Sequence, residues 1–585
     1  MREAHDAQLV HGATGLLGEL NRAEVLAAAD VHVARRVGAL AGESDDAVLL
    51  ALALAVRGVR LGSSCVDLRA AVDELVREAP QVEWPGDDWW ARVAASPLSQ
   101  GDDRVLVVEE PLLHLARYHH LEHSLCRRLA ARLEADPPAV DEARLDADLD
   151  RLFAGDSFAE QREAARRAAT GWTSVVTGGP GTGKTTTIAR LLAALSAQHT
   201  AQPTAQRPLT VGLAAPTGKA AARMREAIAG AAAADVFTDD ERTWLTSLDA
   251  VTLHRLLGPR PDHRTAFRHH AGQKLGHDVV VVDETSMVSL LMMERLVQAV
   301  SPTCRLVLVG DAEQLASVEA GAVLRDVIDG LADADTSAVT RLTSGHRFHG
   351  VIGDLAAAIV AGDADRTLDL LESDDPAVRF VDPDELDAVV ADRPRSQARA
   401  VARAAADGDV EAGLAALAEH RMLCAHRDGP WGVRTWNERL EREVRTFPDP
   451  ARPWFAGRPV LLTRNDASLG VHNGDVGVTL DEDGRLVVRL DTGRDVSAAR
   501  IAFAQSAYAS TVHRSQGSEF EHVTLLLPEQ DSAVLTRELL YTAVTRTRST
   551  LTVVGTPDVV RQAVERRTAR ASGVARRLAG LLTRD

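Results

Sequence analysis

Residues 174–177 form a short β-branched run and residues 186–195 a helix-forming run, with a glycine-rich turn between them, which predicts strand, loop and helix. The same alternation recurs downstream. Residues 209–214 read as a strand leading into a helix, and 305–309 as another strand. Residues 279–282 are four consecutive valines, the pattern of a strand buried on both faces of a parallel sheet. Ahead of this α/β region, residues 1–110 read as helical, with apolar-rich runs at 31–40 and 47–56 and a turn at 61–64. Residues 111–150 continue as amphipathic helix, on whose solvated face His114, His119, His120 and His123 are expected to lie. Residues 198–208 read as a surface linker. The alternation resumes less regularly after residue 336, with a strand at 421–425. Residues 455–503 are rich in short strands and turns, as in a small β-barrel or β-rich insertion.

Composition narrows the class. The 585 residues are 45% apolar and 26% charged, as in an ordinary globular protein of several domains. The longest purely apolar run is ten residues, far short of the roughly 20 that span a bilayer. No basic segment followed by an apolar core opens the chain, and the four scattered cysteines include no C-x-x-C pair. A cytoplasmic protein without membrane spans is therefore expected. The net charge of −18 is awkward for a nucleic-acid binder, but it is unevenly spread. Residues 1–110 hold 10 basic against 19 acidic residues, and 561–585 hold seven arginines against two acids. A DNA path is expected as a local groove in the later part, with the acidic front facing protein or solvent. Trp84, Trp89 and Trp90 in that front either plug a small core or anchor a partner.

The chemistry begins at the first loop. Gly178, Gly183, Lys184 and Thr185 fit G-x-x-x-x-G-K-[ST], between a predicted strand and a predicted helix. Gly178, Gly179, Pro180, Gly181, Thr182 and Gly183 would wrap backbone N–H groups around phosphates at the helix start, with Thr186 following. Lys184 would reach the β- and γ-phosphates of ATP, and the Thr185 hydroxyl would ligate Mg²⁺. Apart from Lys184 the chain has only two lysines against 63 arginines, so a lysine here points to a need for a compact cation. Asp283 and Glu284 close the valine strand, the first placed to hold Mg²⁺ and the second to take a proton from attacking water. Gln314 follows the next strand as a γ-phosphate sensor. Gln161, 17 residues before the phosphate loop, offers an amide able to read adenine. Thr217 and Lys219 follow the 209–214 strand and either hold a nucleic-acid phosphate or form a capping turn. The basic loop 259–277 is either a nucleic-acid contact or a solvated loop. Further on, 508–520 supplies hydroxyls with His513, Arg514 and Gln516, and a predicted helix presents Tyr541, Thr545 and Arg546.

In this order, GGPGTGKTTT, APTGKAA, TLHRLLG, VVVVDETSM, GDAEQLASVEAG, VHRSQGSEF and LLYTAVTRT resemble the motifs of superfamily 1B DNA helicases over about residues 155–560. QLASVEAG, FRHHAGQKL, residues 61–68 and ASGVARRL resemble the RecD branch, the α subunits of exonuclease V. The resemblance implies two RecA-like P-loop domains, at 156–335 and 336–585. A helical partner-binding domain at 1–110, a helical connector at 111–155 and an SH3-like insertion at about 455–503 complete the expected organisation. It implies ATP- and Mg²⁺-dependent 5′→3′ movement on single-stranded DNA, beside RecB-like and RecC-like subunits, at double-strand ends in recombinational repair. Gln161 would contact adenine, Lys184 and Thr185 the phosphates and Mg²⁺, Asp283 the Mg²⁺ and Glu284 the water. Gln314, Arg347 and Arg546 would meet the γ-phosphate, and Thr217, Lys219, His254, Thr511, His513 and Gln516 the DNA. The 259–277 loop would be a strand-splitting hairpin. Arg514 stands where relatives often carry lysine, and Ala316 where many carry proline. No nuclease carboxylate cluster is present. A standalone helicase of the long RecD-like or conjugative type, and an assembly subunit with a vestigial ATPase, remain as alternatives.

Overall fold

The computed structural model describes residues 9–201, 207–260, 263–334, 336–343, 350–445, 453–466 and 468–583. Arg347 lies outside the described residues.

A six-stranded, wholly parallel sheet carries the phosphate loop. Its order across the sheet is Val339–Leu342, Thr173–Gly178, Arg305–Gly310, Val279–Val282, Val211–Ala215 and Ala250–Thr252. The four valines behave as their pattern predicts. Val279 and Val281 enter the core on one face, with Ile188, Leu192 and Met224, while Val280 and Val282 enter the other, with Leu296 and Leu324. Burying each such side chain contributes about 1.5–3 kcal/mol, which makes the strand a fixed reference for the loops at its carboxyl end.

The second sheet is also parallel, in the order Val378–Val381, Thr547–Val554, Phe520–Leu526, His420–Cys424 and Ala509–Thr511. Both sheets are covered by helices on both faces, so the two RecA-like domains expected from the sequence are present. The β-rich insertion is a five-stranded antiparallel sheet from Pro459–Leu462 to Ala504–Ser506, starting and ending a few residues later than 455–503. Pro259–Arg260 and His263–Phe267 pair as a small hairpin within the 259–277 loop.

The amino-terminal region differs from its all-helical expectation. Helices Gly15–Arg22, Ala28–Ala41 and Asp46–Arg60 are joined by a three-stranded antiparallel sheet, in which Leu112–Leu115 runs between Cys65–Asp67 and Leu106–Glu109. Trp89 is buried in this core and its indole donates to the Ala47 carbonyl at 2.7 Å, while Trp84 and Trp90 pack against the same core. The helix expected from residue 111 starts at Ala116, because the preceding four residues pair across the sheet. His114 is therefore fully buried rather than on a solvated face. It comes within 4.8 Å of Cys65 and Glu122, but the Glu122 carboxylate already accepts from Ser64 at 2.6 Å, the Gly573 amide at 3.1 Å and His114 at 3.2 Å. The 198–208 linker also begins later than expected: helix Lys184–Ala201 runs through Gln198, whose amide exchanges two hydrogen bonds with the Asp141 backbone. The last helix, Val574–Leu582, lies in the stretch expected for the second motor domain. It packs instead on helices Ala116–Leu133 and Val323–Asp333, with Val574 and Leu578 inside the first domain's core.

Candidate nucleotide and nucleic-acid site

A cavity of about 800 Å³ opens between the two parallel sheets. Strand Thr173–Gly178 delivers the phosphate loop to its floor and helix Lys184–Ala201 leaves from it. Gly181 and Gly183 have φ of +80° and +82°, a left-handed conformation that side chains resist, and this turns the loop tightly around the helix start. The Lys184 ammonium folds back onto the loop, donating to the Gly178 and Gly179 carbonyls at 2.5 and 2.9 Å. Thr185 and Thr186 line the same cavity.

The acid pair stands opposite. Glu284 has φ of +51°, a strained conformation for a residue with a side chain, and its amide donates to Asp283 Oδ1 at 2.8 Å. Burial, and after it the Glu284 charge, pushes the Asp283 carboxyl up to about 6, with Lys184 pulling the other way. A carboxyl held up in this manner gains from a nearby divalent cation, so the pair fits Mg²⁺ together with Thr185. Asp311, on the next strand's end, is also raised by burial and accepts from Tyr541 at 2.9 Å, Gln314 at 3.0 Å and the Glu313 amide at 3.0 Å.

Two glutamines aim at the cavity with their acceptors free. Gln161 is 2% exposed and donates to the Thr182 carbonyl at 3.1 Å, while its Oε1 has no partner. Gln314 is 6% exposed, donates to Asp311, and its Oε1 is likewise unpartnered. An orphaned buried oxygen costs about 1–3 kcal/mol, so each is paired to best advantage by a donor entering the cavity.

From the second sheet comes Arg546, 3% exposed, its guanidinium held by the Thr542 carbonyl at 3.0 Å and the Ser518 carbonyl at 3.2 Å rather than by a carboxylate. Its charge is thus left for the cavity it lines. The two domains also touch directly. Gln516 donates to the Leu315 carbonyl at 2.7 Å, the Leu315 amide donates to Thr542 at 2.9 Å, and Arg223 donates to the Gly517 carbonyl at 2.6 Å. Gln516 is therefore engaged in the seam between the motor domains.

The remaining sequence-predicted positions lie along the carboxyl edges of the two sheets. Thr217 and Thr511 each cap a helix that follows a parallel strand, accepting from Ala220 and Arg514 amides, which leaves each hydroxyl proton free to donate. His254 is exposed and packs edge-on against Phe267 of the hairpin, with ring centroids 5.7 Å apart. Lys219 faces the insertion. Burial lowers its ammonium to about 8, Arg421 lowers it further, and Asp491 and Asp475 of the insertion oppose this. Burial, then Arg570, also lowers His513.

Four cavity residues escaped the sequence reading. Arg223 and Arg548 line it from opposite domains, and Asp311 joins Tyr541 across the cleft. Arg190 is stacked with its Cζ 4.3 Å from the Phe158 ring centre and 5.2 Å from that of Phe153, and its Nε and Nη1 have no partner. Arg223 stands four residues after Lys219 on one helix, a spacing that shares a face, whereas Arg546 precedes the strand that carries Arg548. The Tyr541–Asp311 pairing has no local signal at all.

Residues 22–112 match the family described as RecBCD enzyme subunit RecD, N-terminal domain. Residues 161–320 match an AAA domain and 506–554 the UvrD-like helicase C-terminal domain. The chain is 47% identical to RecBCD enzyme subunit RecD of Mycobacterium tuberculosis over 98% of both chains. It is 48% identical to that of Mycolicibacterium smegmatis over 95% of this chain and 98% of the other. The ATP-dependent RecD2 DNA helicase of Deinococcus radiodurans is 32% identical and matches over 78% of this chain but 56% of its own length. With the amino-terminal module and both helicase modules in sequence, and near-complete overlap with the mycobacterial proteins, the chain belongs to the RecD family of ATP-dependent DNA helicases.

Proposed function

We propose that the chain is the 5′→3′ single-stranded-DNA motor of a RecBCD-type helicase–nuclease acting in the cytoplasm on double-strand ends. The observation that carries this is one cavity lined by Lys184, Thr185, Asp283, Glu284 and Gln314 from the first RecA-like domain and by Arg546 from the second. ATP is the substrate, with Gln161 on its base and the 178–186 loop on its phosphates. Mg²⁺, held by Thr185 and Asp283, would neutralise developing phosphate charge. Glu284 accepts the proton of the attacking water, Gln314 contacts the γ-phosphate, and Arg546 reaches the same group from the far domain. Such an arginine contributes about 10³–10⁵ in rate, so closure of the cleft and hydrolysis become one event. Thr217, Lys219, His254, Thr511, His513 and Gln516 belong to the DNA track or to the seam beneath it. The 1–110 region, acidic and built on its own core, is the surface for RecB-like and RecC-like subunits. A described helix long and apolar enough to cross a membrane is absent.

The test is ATP hydrolysis with and without single-stranded DNA. Stimulation by DNA, lost in Lys184→Gln, is expected, whereas hydrolysis indifferent to DNA overturns the motor reading. Co-purification of two large partner subunits from the native host separates the complex from a standalone helicase.

A further inference from the structure

The loop 311–321 carries Gln314 and is suspended between two bodies. On one side, the second motor domain takes both polar backbone groups of Leu315, through Thr542 and Gln516. On the other side, the loop is held from outside the motor. The Gly321 amide donates to the Gly62 carbonyl of the amino-terminal region at 2.9 Å. Arg570 donates through Nη1 to the Ser317 carbonyl at 2.6 Å and to the Glu319 carbonyl at 3.4 Å.

Arg570 belongs to a strap that reaches several units in succession. Thr568 bonds Glu538 of the second motor domain at 2.8 Å, and the Ala571 carbonyl accepts from the Ser64 amide at 3.0 Å. Helix Val574–Leu582 then enters the first domain's core. Burial lowers the Arg570 guanidinium, Asp326 and Glu538 oppose this through space, and its Nε has no partner. Its guanidinium lies flat against Gly62, whose φ is +95°; a Cβ there would stand 2.8 Å from Arg570 Cζ. An arginine pressed on a glycine and donating to loop carbonyls fixes a backbone position, whatever charge it also balances.

We propose that Arg570 and Gly62 form a positioning clamp on the Gln314 loop, through which the amino-terminal region governs hydrolysis of ATP. Gly62 and the strap hold residues 317–321 in place while Leu315 is bonded to the second motor domain, so the clamp sets where Gln314 stands when that domain moves. The proposal rests on the assignment of Gln314 to the γ-phosphate. Arg570 is a positioning residue and touches no substrate.

The experiment compares Arg570→Ala, Arg570→Lys, Gly62→Ala and Gln314→Ala in the full chain. It reads DNA-stimulated kcat and KM for ATP, melting temperature, and affinity for ADP and for AMP-PNP with Mg²⁺. Misplacing a contact by about 1 Å costs on the order of 10–100-fold in rate, so kcat of Arg570→Ala falls by at least about tenfold. ADP affinity holds, and the preference for AMP-PNP over ADP is lost, as it is in Gln314→Ala. Arg570→Lys, which keeps a donor for Ser317, restores most of kcat, and Gly62→Ala moves in the same direction as Arg570→Ala. An unchanged nucleotide preference in Arg570→Ala overturns the clamp. So does a parallel fall in ADP affinity and melting temperature that lysine does not rescue, since that is a purely structural role. If Gln314→Ala keeps the preference, the γ-phosphate assignment fails and the clamp with it; if Gln314→Ala loses it and Arg570→Ala does not, only the clamp fails.

Discussion

Two seams hold this molecule together, and they are built from different chemistry. Between the motor domains, around a wide polar cavity, the contacts are scattered: Tyr541 to Asp311, Gln516 and Thr542 to the Leu315 backbone, Arg223 to the Gly517 carbonyl, Arg325 3.6 Å from Glu538, and the Leu315 side chain alone set in the second domain's core. Between the amino-terminal region and the first motor domain lies a buried polar knot set in apolar packing. Glu122 is fully buried, bonded to Ser64, His114 and Gly573 and 3.7 Å from Arg577, while Arg577 grips Glu109 at 2.7 and 3.0 Å. Burial alone would raise the Glu122 carboxyl, but His114, Ser64 and Gly573 hold it below its usual range, and Arg577 and His119 bring Glu109 down to about 2. Scattered bonds across a cavity can be exchanged one by one as a domain moves. A desolvated charge cannot lose a partner without a large cost, so the second seam is a weld and the first a hinge.

The difference can be broken at its strongest point first. Glu122→Ala leaves Arg577 and His114 facing an emptied buried site and is expected to destabilise the fold by about 3–5 kcal/mol, read as the shift in urea unfolding. Tyr541→Phe removes one bond to a buried carboxylate at the hinge. About 1.5 kcal/mol is at stake, so DNA-stimulated kcat is expected to fall roughly tenfold while the melting temperature holds. A third test sharpens the weld's pH dependence. Burial pushes Asp326, beside Ser572 and Glu122, up to about 7, so the folded protein binds its proton more tightly than the unfolded chain does. The stability this gives is complete below the ordinary carboxyl value of about 4 and is lost as pH rises toward 7. Asp326→Asn is expected to flatten that decline and to melt above the parent protein at pH 8, compared by thermal scans at pH 5.5 and 8.

The motor was legible because its signals are local. The phosphate loop, the valine strand and the acid pair each occupy one short stretch, and the parallel sheet aligns their loops on one edge. What was not legible depends on distant partners. Leu112–Leu115 has helical company in sequence but pairs with Cys65–Asp67, which buries His114. Gln198 looked like the start of a linker until the Asp141 backbone claimed its amide. Gln516 reads as a nucleic-acid residue, and Arg223 carries no signal, because the carbonyls they bond lie in the other motor domain, about 200 and 300 residues away.

Gly179 belongs to the phosphate loop, yet it also faces the second domain. A Cβ at that position would stand 3.0 Å from the Tyr541 hydroxyl, tighter than most real contacts. The missing side chain therefore lets the phosphate loop stand this near to Tyr541, and a methyl there would press on the very hydroxyl that Asp311 holds.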